Sequence, residues 1–199
     1  RENVVAYSFT VGQSSGVYYK DFSREKGDEA HVVHDSDREY LALSFDKKSG
    51  TMLVSTQKNG DACRQIAQFI RDGDRQGLTD GDSRDDNPVF SPSDGQILFD
   101  SAGVGRDARG EFAGYAPSAL YALDPLTLDM VCLKEDEKYS YCKPKRDRGG
   151  DLYAIRRPAK ERRAGNPLLE ILLIPVRIVE AIVGFVQFFV VAFAGKSLV

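Results

Sequence analysis

The side chains able to do chemistry are few in this chain, and their spacing excludes more than it supports. The two histidines, His31 and His34, form an H-x-x-H pair inside a run that alternates like a strand. Their rings are therefore expected on opposite faces and not around one metal ion. Three cysteines, Cys63, Cys132 and Cys142, include no C-x-x-C pair and leave an odd thiol. That count argues for buried free thiols over a disulfide framework or structural zinc, although Cys132 and Cys142 could meet across neighbouring strands. The run RDGDRQGLTDGDSRDD, Arg71–Asp86, carries six aspartates. Neither its glycines nor a distal glutamate fall where an EF-hand loop needs them, so it reads as solvated turns around one short strand. There is no G-x-S-x-G nucleophile elbow and no G-K-[ST] phosphate loop. No catalytic residue, metal or cofactor is expected, and the chain is read as a non-enzyme.

The elements that position these residues show in a repeat. DDNPVFSPSDGQILFDS, Asp85–Ser101, sets a turn ending in Gly95 before an apolar strand, and YLALSFDKKSGTMLVS, Tyr40–Ser55, has the same layout around Gly50. A weaker copy closes at Gly150, so the turn glycines fall 45 and 55 residues apart. Such a period suits units of four short antiparallel strands. Alternation places the strands at 4–9, 16–21, 31–34 and 40–44, then 52–56, 64–69, 76–79 and 88–91, then 97–101, 119–124, 130–133 and 139–143, with one more at 152–155. Residues 1–155 thus predict an all-β segment of about three four-stranded units plus one strand. The longer third unit holds an insertion, Ala102–Ser118, rich in glycine and charge and read as a loop. Loops at one end of repeat units often line a binding face, so Arg106, Asp107, Arg109, Glu111 and Tyr115 are the binding candidates.

At NPVFSPSDGQILFDS, followed by ALYALD, the chain resembles the TolB-type β-propeller repeat. Pro88, Phe90, Ser91, Pro92, Asp94, Gly95 and Phe99 match its pattern, Ser93 is inserted, and the other two copies lack the Ser-Pro. The resemblance implies propeller blades whose turn joins the outermost strand of one blade to the innermost of the next. It also implies faces that bind proteins or peptides. The chain starts at Arg1, so the expectation is the C-terminal blades of a longer propeller, its open edges covered by further blades or by other copies.

Beyond the repeats, RRPAKERR, Arg156–Arg163, has five basic residues in eight and a proline expected to end the preceding strand. It reads as a linker over 156–165. Residues 166–199 then predict an apolar helix with a narrow polar stripe of Glu170, Arg177, Glu180, Gly184 and Gln187. The uncharged run starting at Ala181 falls short of the roughly 20 residues a spanning helix needs. A helix in the membrane interface fits better, with Arg156, Arg157, Lys160, Arg162, Arg163 and Arg177 toward headgroups and Phe185, Phe188, Phe189 and Phe193 toward acyl chains. The same apolar face could instead pack on protein.

The net charge of −3 announces no nucleic-acid partner. The function expected is a bacterial binding or scaffold module that recognises a protein or peptide while its tail holds it to a membrane surface. The cytoplasmic side is favoured over the periplasmic one. The alternatives are a self-associating structural subunit, joined through blade edges or tail, and a propeller-type hydrolase.

Overall fold

A computed structural model describes residues 3–12, 14–23, 29–46, 49–70 and 74–159. The chain divides into two compact units, Arg1–Lys160 and Glu161–Val199, and every element below belongs to the first. The interfacial helix and its residues Lys160, Arg162, Arg163, Arg177, Phe185, Phe188, Phe189 and Phe193 lie outside the described residues.

Among the described residues, fourteen strands run in chain order: β1 Val4–Val11, β2 Ser14–Asp21, β3 Glu29–Asp35, β4 Arg38–Phe45, β5 Met52–Lys58, β6 Gln65–Ile70, β7 Asp74–Gly77, β8 Ser83–Phe90, β9 Ile97–Arg106, β10 Phe112–Tyr115, β11 Ala119–Leu123, β12 Met130–Lys134, β13 Tyr139–Arg146 and β14 Leu152–Pro158. They form antiparallel sheets in the orders β1-β2-β3, β4-β5-β6-β7, β8-β9-β11-β12 with β10 added to β9, and β13-β14. The first strands β1, β4, β8 and β13 lie next to one another, each heading its own sheet. These are four consecutive propeller blades, the outer two with fewer strands.

This arrangement corrects the expected frame. The glycine-closed turn does not cross between blades; it joins the first two strands of one blade. Ser91 N–H donates to the Gln96 carbonyl at 2.8 Å and Gly95 N–H to the Ser91 carbonyl at 3.1 Å. Each copy closes on a left-handed glycine: Gly12 at φ 60°, Gly50 at 72°, Gly95 at 73° and Gly150 at 96°. Strands 40–44, 88–91 and 139–143 therefore open blades and do not close them. β14 also continues past Ile155 through Arg156 and Arg157 to the proline, so the basic run begins inside a strand.

The apolar core sits between blades. Val17 of the first meets Tyr40, Met52, Val54, Ala67 and Phe69 of the second. On the second blade's other face, Leu53, Ile66 and Leu78 pack on Ile97, Phe99 and Leu123 of the third. Alternation is what feeds two interfaces from one strand: in β5 the even positions face backward and the odd ones forward.

A second repeat is written in the backbone alone. Ala42, Asn87 and Lys143 have φ of 48°, 53° and 55°. Each sits where the first strand of its blade carries one residue more than its partner strand. A bulge in β3 overturns the histidine expectation as well. Val32 is the extra residue there, so His31 pairs with Tyr18 and His34 with Gly16, and both exposed rings lie on one face. Even so, no group of three His, Cys, Asp or Glu suited to a metal occurs among the described residues.

Candidate functional site

The insertion predicted as a loop is a hairpin. β9 runs on to Arg106, and β10 returns along it with Phe112 opposite Arg106 and Tyr115 opposite Val104. Asp107 makes its turn: its Oδ1 accepts the N–H groups of Arg109 at 2.8 Å and Glu111 at 3.0 Å, an Asx-type closure. Arg109 and Glu111 stand exposed at the tip, and Phe112 is half exposed while its ring tilts against Tyr115 at 4.8 Å.

The base of the hairpin is fastened to the start of its own blade and to the blade before it. Arg106 forks onto Asp82, with Nη2 to Oδ1 at 2.6 Å and Nε to Oδ2 at 2.9 Å. Tyr115 Oη donates to the Ala62 carbonyl at 2.9 Å, and Arg84 lies over the Tyr115 ring at 5.1 Å. Cys63 Sγ donates to Asp82 at 3.1 Å. Arg106 and then Cys63 pull the Asp82 carboxyl down to about 2. Burial, then the Asp82 hydrogen bond, pushes the Cys63 thiol up to about 11, which leaves it protonated and unreactive at neutral pH. Of the five sequence candidates, Arg106 and Tyr115 thus meet in one cluster, Asp107 is structural, and Arg109 and Glu111 are free at the tip. Sequence reasoning missed Phe112, Cys63 and Asp82; the aromatic pair Phe112 and Tyr115 was the signal for the strand, masked by Gly110 before it and Gly114 within it.

The acidic run holds a second surprise. Its last four residues, Ser83–Asp86, open β8, and Asp85 and Asp86 are buried instead of solvated. Buried carboxylates need partners, and these have them. Asp85 accepts from Ser101 Oγ at 2.6 Å, while Asp86 holds Arg64 at 2.6 Å and Arg84 at 3.3 Å. Asp100, on β9, accepts from Asn87 Nδ2 and from the Lys143 N–H, both at 2.9 Å. That second bond ties the third blade to the left-handed residue of the fourth. Burial raises the Asp100 carboxyl to about 6. The cluster lies at blade junctions, each member engaged by a neighbour, and it reads as a clasp.

The thiols are free, but none is fully buried as expected: Cys132 is exposed, and Cys63 and Cys142 are half buried. Arg156 is exposed yet stacks over the Tyr139 ring at 4.5 Å, and Arg157 is exposed beside it. No helix long and apolar enough to cross a membrane occurs among the described residues.

No family model matches the chain, and no curated protein does. Solved structures do. TolB from Acinetobacter baumannii superposes with a TM-score of 0.56 and 17% identity over 80% of this chain. Kuenenia stuttgartiensis hydrazine synthase gives 0.54 and 13% over 70%, and a Mycobacterium tuberculosis puromycin-hydrolyzing peptidase 0.54 and 13% over 81%. The chain spans 36%, 24% and 26% of those proteins. The likeness shows the fold, that of TolB-like β-propeller blades.

Proposed function

We propose that the chain is a non-enzymatic binding module in which the β9–β10 hairpin receives a protein or peptide partner. The observation that carries this reading is a rigid base under an exposed tip. The Arg106–Asp82 fork and the Tyr115–Ala62 bond hold the hairpin, while Arg109, Glu111 and Phe112 project unengaged by neighbouring blades. Preorganisation of this kind lowers the ordering cost of binding, and an aromatic flanked by charges is a common anchor composition. In the same reading, residues 156–199 associate with an anionic membrane surface through the basic run and the broad apolar face of the tail.

The test is a displayed-peptide selection against the intact chain, repeated with Phe112→Ala and Arg109→Ala. Selected peptides should lose at least tenfold in affinity to the variants. Peptides that ignore both variants, or are cleaved by the protein, would overturn the assignment. Co-sedimentation with anionic and neutral vesicles, with and without residues 164–199, tests the membrane half: binding should need the tail and fall with salt.

A further inference from the structure

The second blade carries a polar cavity on the face it turns toward the first. About 190 Å³ in volume, it is lined by Arg38 of β4, Thr56 of β5, Gln65 and Ala67 of β6, and Arg75 and Gly77 of β7. Strand pairing puts these residues on one face: Thr56 stands between Tyr40 and Gln65, Gly77 opposite Ala67, and Arg75 opposite Phe69. Tyr40, Ala67 and Phe69 also belong to the core shared with the first blade, so the cavity adjoins that core. Gly77 contributes no Cβ to fill it, and one built there would meet nothing within 4 Å.

The repeat shows which group the cavity would take. Thr56 and Ser101 stand six residues past the turn glycines Gly50 and Gly95, and they pair with Tyr40 and Asp85 respectively. In the third blade the Ser101 hydroxyl donates to the Asp85 carboxylate at 2.6 Å. In the second, tyrosine holds the aspartate's place and gives its own hydroxyl to Asp35. Thr56 is 4% exposed, and its Oγ1 has no hydrogen-bond partner. A buried hydroxyl left in that state destabilises the fold. No aspartate or glutamate among the described residues lines the cavity. Positive charge surrounds it, from Arg38 and Arg75 in its walls and from Lys58 opposite Arg38. Asp35 offsets part of that charge, since Arg75 lies beside the Tyr40–Asp35 pair.

We propose that this cavity binds a small carboxylic acid, its carboxylate gripped by Arg38 and Arg75 and taking for Thr56 the part that Asp85 plays for Ser101. Guanidinium groups present forked N–H donors that match a planar carboxylate, and the Thr56 hydroxyl adds a further donor. The volume suits an acid of a few carbons. This site goes beyond the hairpin reading, and no residue of β9 or β10 lines it.

Isothermal titration of the full chain with succinate, inorganic phosphate and chloride at one ionic strength tests this, with Arg38→Gln, Arg75→Gln and Thr56→Val as variants. Arg75 is exposed, Arg38 is half-buried, and valine matches threonine in shape, so folding should survive, with far-ultraviolet circular dichroism as the check. Succinate should bind with a Kd of about 1 mM or tighter, and phosphate about tenfold more weakly. Each arginine variant should weaken succinate about tenfold. Thr56→Val should melt at a higher temperature without succinate, having shed an unpaired hydroxyl, and still bind succinate severalfold more weakly. A purely structural Thr56 would change only the melting temperature. A wild type that gives no more heat with succinate than with chloride would overturn the proposal, and so would binding that both arginine variants keep. Phosphate bound more tightly than succinate would overturn the carboxylate assignment in favour of a phosphoryl group. Phe112→Ala and Arg109→Ala should bind succinate as the wild type does, so this result and the peptide selection fail independently.

Discussion

Asp100→Asn should make the protein more stable at pH 7 and leave it nearly unchanged at pH 4. The wild-type side chain is 6% exposed, and burial first, then repulsion from Asp86, lifts its carboxyl from 3.8 to about 6. The Lys143 N–H, the Asn87 amide and the Arg84 charge pull the other way and lose. Between about pH 4 and pH 6 the folded protein therefore keeps a proton that the unfolded chain has released, so each rise in pH favours unfolding. A gap of about two pH units at about 1.4 kcal/mol each makes roughly 3 kcal/mol, present below pH 4 and lost by pH 7. Asparagine never ionises, and its Oδ1 can still accept both bonds. The assay is urea unfolding of both proteins from pH 4 to pH 7, read as the difference between them. Taking the difference cancels Asp82 and Asp94, whose lowered values act in the opposite sense and lose stability as pH falls through them. A variant disadvantage that grows toward pH 7 would refute the reasoning, because the ionised carboxylate would then be a net stabiliser of the junction.

Glycine replacements should separate two causes of strain. Gly95→Ala meets open space but φ of +73°, for a loss of about 1 kcal/mol that Gly95→Asn largely avoids, whereas Gly16→Ala drives Cβ into the Val33 carbonyl and should cost more, by thermal unfolding. Asp82→Ala removes both the acceptor that holds the Cys63 proton and the anchor of Arg106. Alkylation of Cys63 at pH 8 should then speed up severalfold while exposed Cys132 keeps its rate, as peptide mass mapping can show.

Strand positions were legible because the blades alternate cleanly: Met52–Ser55 and Ile97–Asp100 feed two interfaces each, and two-faced burial leaves apolar runs closed by glycine turns. The blade frame was not legible, because a period fixes spacing without saying which gaps are hairpins. Deciding that needs the pairing of Phe90 with Ile97 across the Ser91–Gly95 turn. β10 is hidden for a different reason: Gly110 precedes and Gly114 interrupts a strand of four residues, Phe112–Tyr115, too short to show alternation. Asp85 and Asp86 read as surface residues because Ser101 and Arg64 reach them from other strands, which charge density along the chain does not encode; only Arg84, two residues back on the same strand face, is near in sequence. The candidate site divides the same way. Arg106 and Tyr115 stand out by their place in an inserted segment, but Asp82, at the head of a neighbouring strand, and Ala62, in the blade before, fix them from positions distant in sequence.

The junction residues show why such sites evade sequence comparison even within one chain. Ser55, Asp100 and Ile155 hold the same place, opposite the residue just before a left-handed one. One donates to a carbonyl, one accepts from an amide, and one is bare apolar surface. What repeats is the bulge at Ala42, Asn87 and Lys143, a conformation costing roughly 1 kcal/mol or more in a residue with a Cβ. A backbone strain that recurs at three junctions, under three unrelated side chains, must be held by the packing of one blade on the next. The fourth blade follows the rule: its bulge residue Lys143 gives its N–H to the Asp100 carboxylate of the third blade at 2.9 Å.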